Sequence, residues 1–228
     1  MGFLTESLRH AFGLIVALDP EVVRTVWTSL YTSMVAIVLA AAVGVPLGAL
    51  LGLGRFPGRG LALTFLNTLM ALPTVMVGLV LFGLFSRLGP LGELGLLFTP
   101  AAMISGQMLL AVPIVANYVV AAVAGADPRI MATALTLGAS RLMAVRQLLL
   151  ETRFGIVAAV VAGFGRVIAE VGVAMMLGGN IRGYTRTMTT AIALETSKGE
   201  FGFGLALGLV LMVVALVVNL FLHRLQRR

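Results

Sequence analysis

There is no cysteine in this chain and very little charge: Asp, Glu, Lys and Arg together make up 11% of its 228 residues. The first absence excludes disulfides, thiol catalysis and cysteine-based metal sites. The second excludes an ordinary soluble domain, whose surface draws on more than twice that share of charged side chains. Chemistry-bearing motifs are missing as well. No glycine-rich phosphate loop ending in Lys-Ser or Lys-Thr, no nucleophile elbow and no cluster of carboxylates or histidines occurs. Nothing in the residues points to an enzyme.

What remains is apolar: 60% of residues are hydrophobic and the mean hydropathy is +1.08. Several runs exceed the roughly 18 apolar residues that cross a hydrocarbon core. The expectation is an all-α, polytopic membrane helical bundle forming one transmembrane domain over residues 1–228. Five spans are expected at about 25–53, 61–85, 101–124, 154–177 and 201–222. An amphipathic stretch precedes them: Leu4, Leu8, Phe12 and Ile15 share one helical face while Glu6, Arg9 and His10 lie elsewhere, which predicts an interfacial helix within 1–20. In the first span Gly44, Gly48 and Gly52 recur at the spacing that allows close helix contact, and Pro46 is expected to kink it. The second carries Leu72-Pro73-Thr74 in its interior; the third is interrupted by Pro113 and holds Gln107 and Asn117, expected as interhelical hydrogen-bonding groups.

Positive charge orients such a bundle. Arg55, Arg59, Arg129, Arg141, Arg146, Arg153, Arg224, Arg227 and Arg228 fall on one side with only Asp127 and Glu151, a balance of +7. On the other side Arg9, Arg24, Arg87, Arg182, Arg186 and Lys198 meet Glu6, Asp19, Glu21, Glu93, Glu195 and Glu200 and sum to zero. This places the N-terminus outside and the C-terminus in the cytoplasm, with His10 and His223 on opposite sides. It also absorbs the whole net charge, so nucleic acid is not needed to explain it.

The longest break in the apolar sequence is 127–153, which is basic and opens on Asp127-Pro128, a helix-starting pair. Leu135, Leu142, Val145 and Leu149 then recur at helical spacing, and Gly138 separates two halves that are each too short to be stable alone. The segment needs something to pack against. It reads as a cytoplasmic handle on which another protein pulls.

Polar residues inside the spans are costly and therefore informative. Arg166 and Glu170, four residues apart near the middle of the fourth span, can pair on one helix face. Two readings are open: a pair that locks neighbouring helices, or a pair that borders a translocation path. Pro73 and Pro113 are either bends in path-lining helices or simple packing kinks. Between the fourth and fifth spans, Thr185, Thr187, Thr189 and Thr190 with Arg182 and Arg186 could attract an oxyanion, or form a loop that docks a partner. Ala191–Leu194 is expected as a half-helix dipping inward.

On these residues the whole chain resembles the permease subunit of type I ATP-binding-cassette importers of the molybdate and tungstate kind. Residues Ala132 to Ala139 are similar to the family's EAA…G loop, with Ala132 where Glu is usual, and Glu151 follows Leu150 where Pro is common. The run Gly165 to Gly172, continued by Gly178–Ile181 and Thr185–Glu195, is similar to oxyanion permeases. Its ending, Glu195 to Phe201, looks most like the tungstate branch. The resemblance implies a homodimer in a bacterial or archaeal cell membrane, a cytoplasmic ATPase dimer that carries ATP and Mg on its own chains, an extracytoplasmic solute-binding protein, and no cofactor here. It assigns ATPase coupling to Ala132, Ala134, Leu135, Leu137, Gly138, Ala139 and Arg141. The residues expected along the path are Pro73, Thr74, Arg166, Glu170, Asn180, Thr187 and Thr189. The implied function is passage of a tetrahedral oxyanion, tungstate first and molybdate second, by alternating access. Alternatives are a permease for phosphate or sulfate, or an ion-coupled carrier, which would need paired inverted repeats and a buried ion site.

Overall fold

The computed structural model describes residues 2–226, and every regular element among them is helical. Met1 and the last two arginines of the basic tail, Arg227 and Arg228, lie outside the described residues, as do the side chains of Leu4 and His223.

The first helix, α1 (Gly2–Val16), leans on the start of the last one, α11 (Phe201–Gln226). Its contact face is made of small residues, Ser7 and Ala11, with Phe3 edge-on to Phe201 at 5.1 Å. Leu8 and Phe12, from the face read as membrane-seeking, remain exposed. Next comes α2 (Pro20–Leu53), which starts five residues earlier than expected because Asp19 caps it: its Oδ1 accepts from the N–H groups of Glu21 at 2.9 Å and Val22 at 3.2 Å, with Pro20 fitted to the first turn. At 34 residues it is roughly 50 Å long, more than a hydrocarbon core needs.

The bundle is built on α2 and α5 (Pro100–Ala124), which run in the same direction in close contact. Gly44, Gly48 and Gly52 meet Val115, Val119 and Val123 in turn, and a Cβ on Gly48 would stand 2.5 Å from the carbonyl oxygen of Ala116. The glycine spacing thus does what it suggests. Pro46 and Pro113 both sit inside unbroken helices, so the third span is not interrupted at Pro113. Pro113 is buried against neighbouring helices, which hold the segment helical despite the missing N–H.

Two expected spans are not single helices. Residues 61–85 divide into α3 (Arg59–Met70) and α4 (Thr74–Phe85), turned 94° from each other. Pro73 offers no N–H to the last carbonyls of α3, and its extended backbone starts a new direction. The stretch 154–177 also divides, into α8 (Arg153–Ile168) and the seven-residue α9 (Gly172–Gly178). Here the break has an electrostatic origin described below. Ahead of α8 lie α6 (Arg129–Thr136) and α7 (Arg141–Glu151), and α7 passes into α8 through a 66° bend at Thr152. After α9 comes α10 (Met188–Lys198), an 11-residue helix in place of the expected four-residue half-helix. Among the described residues three helices, α2, α5 and most of α11, are long and apolar enough to cross a membrane; each bent pair, taken as one span, raises the number to five.

The main core joins α2, α5, α8, α10 and α11 around Ile37, Val115, Phe164 and Leu207, and a second cluster joins α4, α5 and α9 around Val77, Val173 and Leu177. Asn117 of α5 reaches across to Asn67 and Met70 of α3, an interhelical bond of the expected kind. Gln107 behaves differently: it is buried, and its Oε1 finds no partner among the described residues. The two sets of charges separate to opposite ends. Arg55, Arg59, Asp127 and Arg141 surround one cavity at the basic end, while Glu21, Arg182, Arg186, Glu195 and Lys198 gather at the other.

Candidate functional site

The break after α8 is organised by Glu170. Its backbone has left the helix, yet its carboxylate stays buried, 3% exposed, and takes two partners. Oε2 accepts from Arg166 Nη1 at 2.6 Å, and Oε1 accepts from the Val173 N–H at 3.2 Å, at the start of α9. A carboxylate at a helix N-terminus is where its charge is best met by unsatisfied N–H groups. One residue therefore ends α8, begins α9 and holds Arg166.

Arg166 is 42% exposed on a face of α8 that also leaves Gly165 and Ala169 uncovered. Across from this region stands the α3–α4 elbow, with Leu72 and Pro73 exposed. Thr74 Oγ1 lies 3.1 Å from where a Cβ on Gly172 would be, so the elbow rests directly on the start of α9. A guanidinium open at this depth calls for water, a partner chain or an anion beside it.

Behind this open face is a closed polar network. Thr189 donates its hydroxyl to the Glu170 carbonyl at 2.8 Å; Thr187 lies 3.1 Å from both Thr189 and Thr190; Thr190 donates to Asn180 Oδ1 at 3.0 Å. Thr187 also caps α10 in a reciprocal capping box with Thr190. Thr185 accepts from the Ile181 N–H and donates to the Gly178 carbonyl. These four threonines are buried and committed to the protein, so the loop between α9 and α10 does not present them to a passing oxyanion. Nor are its arginines free, since Arg182 and Arg186 both reach Glu21 of α2, and Arg186 lies 3.6 Å from Glu195. The left-handed backbones of Phe98 and Asn180 flank α9's far end, where the Phe98 N–H donates to the Leu177 carbonyl at 2.8 Å.

Of the sequence-derived path residues, then, Arg166 and Pro73 reach the open face, Thr74 is half-buried beside it, and Glu170, Asn180, Thr187 and Thr189 form its interior support. Ser29 belongs to the same support and was not picked out: its Oγ accepts the Met188 N–H at 2.7 Å. The readable signal was the run Thr25, Ser29, Ser33 on α2, small polar residues four apart, all buried.

At the basic end, α6 and α7 form a helical hairpin turning at Gly138, whose φ of +86° is a conformation that glycine adopts without strain. Ser140 caps α7 by accepting from the Met143 N–H, and Asp127 Oδ1 accepts from the Arg129 N–H. Ala132, Leu135, Leu137, Gly138 and Arg141 are exposed; Ala134 and Ala139 are half-buried. The apolar residues of this segment do not share one face. Leu135, Val145 and Leu149 turn to the cavity, whereas Leu137 is 82% and Leu142 80% exposed. Large apolar side chains left open on a short hairpin make it a candidate contact surface.

Residues 44–228 match the family model described as binding-protein-dependent transport system inner membrane component. The chain belongs to this family. It is a transport component of a multi-pass inner-membrane type and not an enzyme, which removes the free-standing carrier considered above. Among similar chains, the tungstate uptake system permease protein TupB of Peptoclostridium acidaminophilum is 38% identical over 226 residues, covering 99% of both chains. TupB of Campylobacter jejuni is 40% identical over 227 residues, covering 100% of this chain and 95% of that one. In fold, a chain of the MetNI methionine ABC transporter in an inward-facing conformation superposes with a TM-score of 0.76, covering 92% of this chain and 97% of the other at 20% identity.

Proposed function

We propose that this chain is the membrane permease subunit of a tungstate importer, receiving the oxyanion from an extracytoplasmic solute-binding protein and passing it inward by alternating access. The observation that carries the reading is full-length likeness to two tungstate uptake permeases at 38 and 40% identity. Two copies of the chain would face each other across the surface that holds Arg166 and the Pro73–Thr74 elbow, closing a path between them. The basic end faces the cytoplasm, by the charge imbalance, and the N-terminus faces outside. ATP and Mg bind a separate ATPase dimer, which seats on the α6–α7 hairpin through Ala132, Ala134, Leu135, Leu137, Gly138, Ala139 and Arg141.

In this mechanism no bond is made or broken on the chain. Closure of the ATPases moves the hairpin; α7 is continuous with α8 through the bend at Thr152, so the motion reaches the Arg166–Glu170 break. Glu170 keeps Arg166 oriented and lowers its net positive charge, so that an anion is attracted without being trapped. Thr187, Thr189 and Asn180 hold the break in place.

The test is uptake by proteoliposomes containing the chain, its ATPase and its binding protein. Tungstate should accumulate only with ATP and all three components, and excess molybdate should compete better than sulfate or phosphate. Transport without ATP or without the binding protein would sink the proposal, and preferential sulfate or phosphate uptake would reassign the solute.

A further inference from the structure

A cavity of about 1130 Å³ lies outside the path region, at the basic end. Its walls come from the last turns of α2 and α5, the 54–59 loop, and the inner faces of α6 and α7. Three guanidinium groups line it, from Arg55, Arg59 and Arg141, with Asp127 the one carboxylate. Among the described residues none of the three arginines is in an ion pair, and Asp127 Oδ1 accepts from the Arg129 N–H at 2.9 Å.

Two features exceed what membrane orientation requires. Arg59 and Arg141 are the first residues of α3 and α7, the ends at which a helix repels a cation. Arg59 is moreover held in place, its Nε donating to the Leu51 carbonyl at 2.7 Å and its Nη2 to that of Gly52. Orientation asks only that arginines collect on this side; it does not ask that three of them line one cavity without an ion pair among the described residues. An anion in the cavity would make both placements favourable. The rest of the lining is apolar, including Val45, Leu53 and Leu149, and Leu50, 62% exposed, continues that wall along the outer surface of α2.

We propose that this cavity binds the phosphate headgroup of an anionic phospholipid, with the guanidinium groups of Arg55 and Arg59 on the phosphate oxygens and the acyl chains laid along α2. Arginine matches phosphate oxygens with paired N–H donors, and juxtamembrane basic clusters meet anionic headgroups at this depth. Since α6 and α7 form the opposite wall, the bound lipid also stiffens the seat of the hairpin against the bundle. The site requires only that this end lie at a membrane surface, so it stands or falls independently of the solute carried.

The test is native mass spectrometry of the permease–ATPase complex released from vesicles of mixed phosphatidylglycerol and phosphatidylcholine. The wild type should retain phosphatidylglycerol selectively. Arg55→Gln with Arg59→Gln should lower that retention about tenfold or more, the loss of two charge-assisted contacts. Arg146→Gln, at the same end but outside the cavity, should leave it unchanged. Because Arg59 also ties down the end of α2, Arg55→Gln alone carries the test if the double variant does not assemble, and Arg55→Lys should restore part of the retention. Equal loss in Arg146→Gln, or none in Arg55→Gln, would show a diffuse surface effect and overturn the proposal. Displacement of the lipid by added inorganic phosphate or tungstate would make this a site for a free anion, and would overturn it equally.

Discussion

Removing either partner of the Arg166–Glu170 pair should have unequal consequences, and the inequality can be worked from their surroundings. Arg166→Gln leaves a carboxylate that is 3% exposed, with the Val173 N–H as its remaining partner. Stripping one member from a buried pair costs about 3–5 kcal/mol. The lower end applies here, because the pair's other side is 42% exposed and partly screened. Glu170→Gln keeps an oxygen for Val173 and leaves behind a guanidinium that water can reach, so about 1–2 kcal/mol is expected. The double variant should be more stable than Arg166→Gln alone, since it no longer buries an unmatched charge. For a chain of this size each kcal/mol moves the midpoint by about 2–4 °C, so Arg166→Gln should lower Tm by roughly 6–12 °C and Glu170→Gln by roughly one-third to two-thirds of that. Thermal unfolding of the purified chain in detergent reads all three. If Arg166→Gln is no worse than Glu170→Gln, or if the double variant is the sum of the two, the buried-carboxylate argument fails. Uptake then addresses the role. A folded double variant that no longer transports shows that the guanidinium serves the path; one that transports normally shows that the pair is only a helix lock.

Gly48→Ala should cost about 1–3 kcal/mol by overpacking, because its Cβ meets the Ala116 backbone at 2.5 Å and backbone cannot step aside. Gly60→Ala, with nothing within 4 Å inside α3, should be neutral or stabilising, and equal effects at the two positions in the same melting assay would contradict the close α2–α5 contact. Gly138→Ala meets no neighbour but must adopt φ near +86°, a strain of about 1 kcal/mol at an exposed turn. It should lower Tm by only about 2–4 °C while lowering the tungstate carried per ATP hydrolysed; unchanged coupling would place the ATPase contact elsewhere.

Much of the architecture was legible in sequence because it depends on local, additive quantities. Apolar run length, the Gly44–Gly48–Gly52 spacing and the segregation of arginines can each be read one residue at a time; of the expected spans, those at α2, α5 and α11 are single long helices, and the glycines stand at the close α2–α5 contact. The pairing of Arg166 with Glu170 was legible as well, being a contact between residues one helical turn apart. Tertiary structure decided where helices stop and which polar groups remain available. Pro46, Pro73 and Pro113 look alike in sequence, yet only Pro73 breaks its span: the other two lie in long helices held by α2–α5 packing, while Pro73 sits at an open elbow. The outer threonines have the composition of an anion-binding loop, but folding turns their hydroxyls inward to satisfy one another and the Glu170 carbonyl. Glu21, far away in sequence, neutralises the loop's arginines. A hydrogen bond is spent once, and only the folded chain shows where; that is why composition could identify a membrane helical bundle but could not say that Arg166 is left facing the open side.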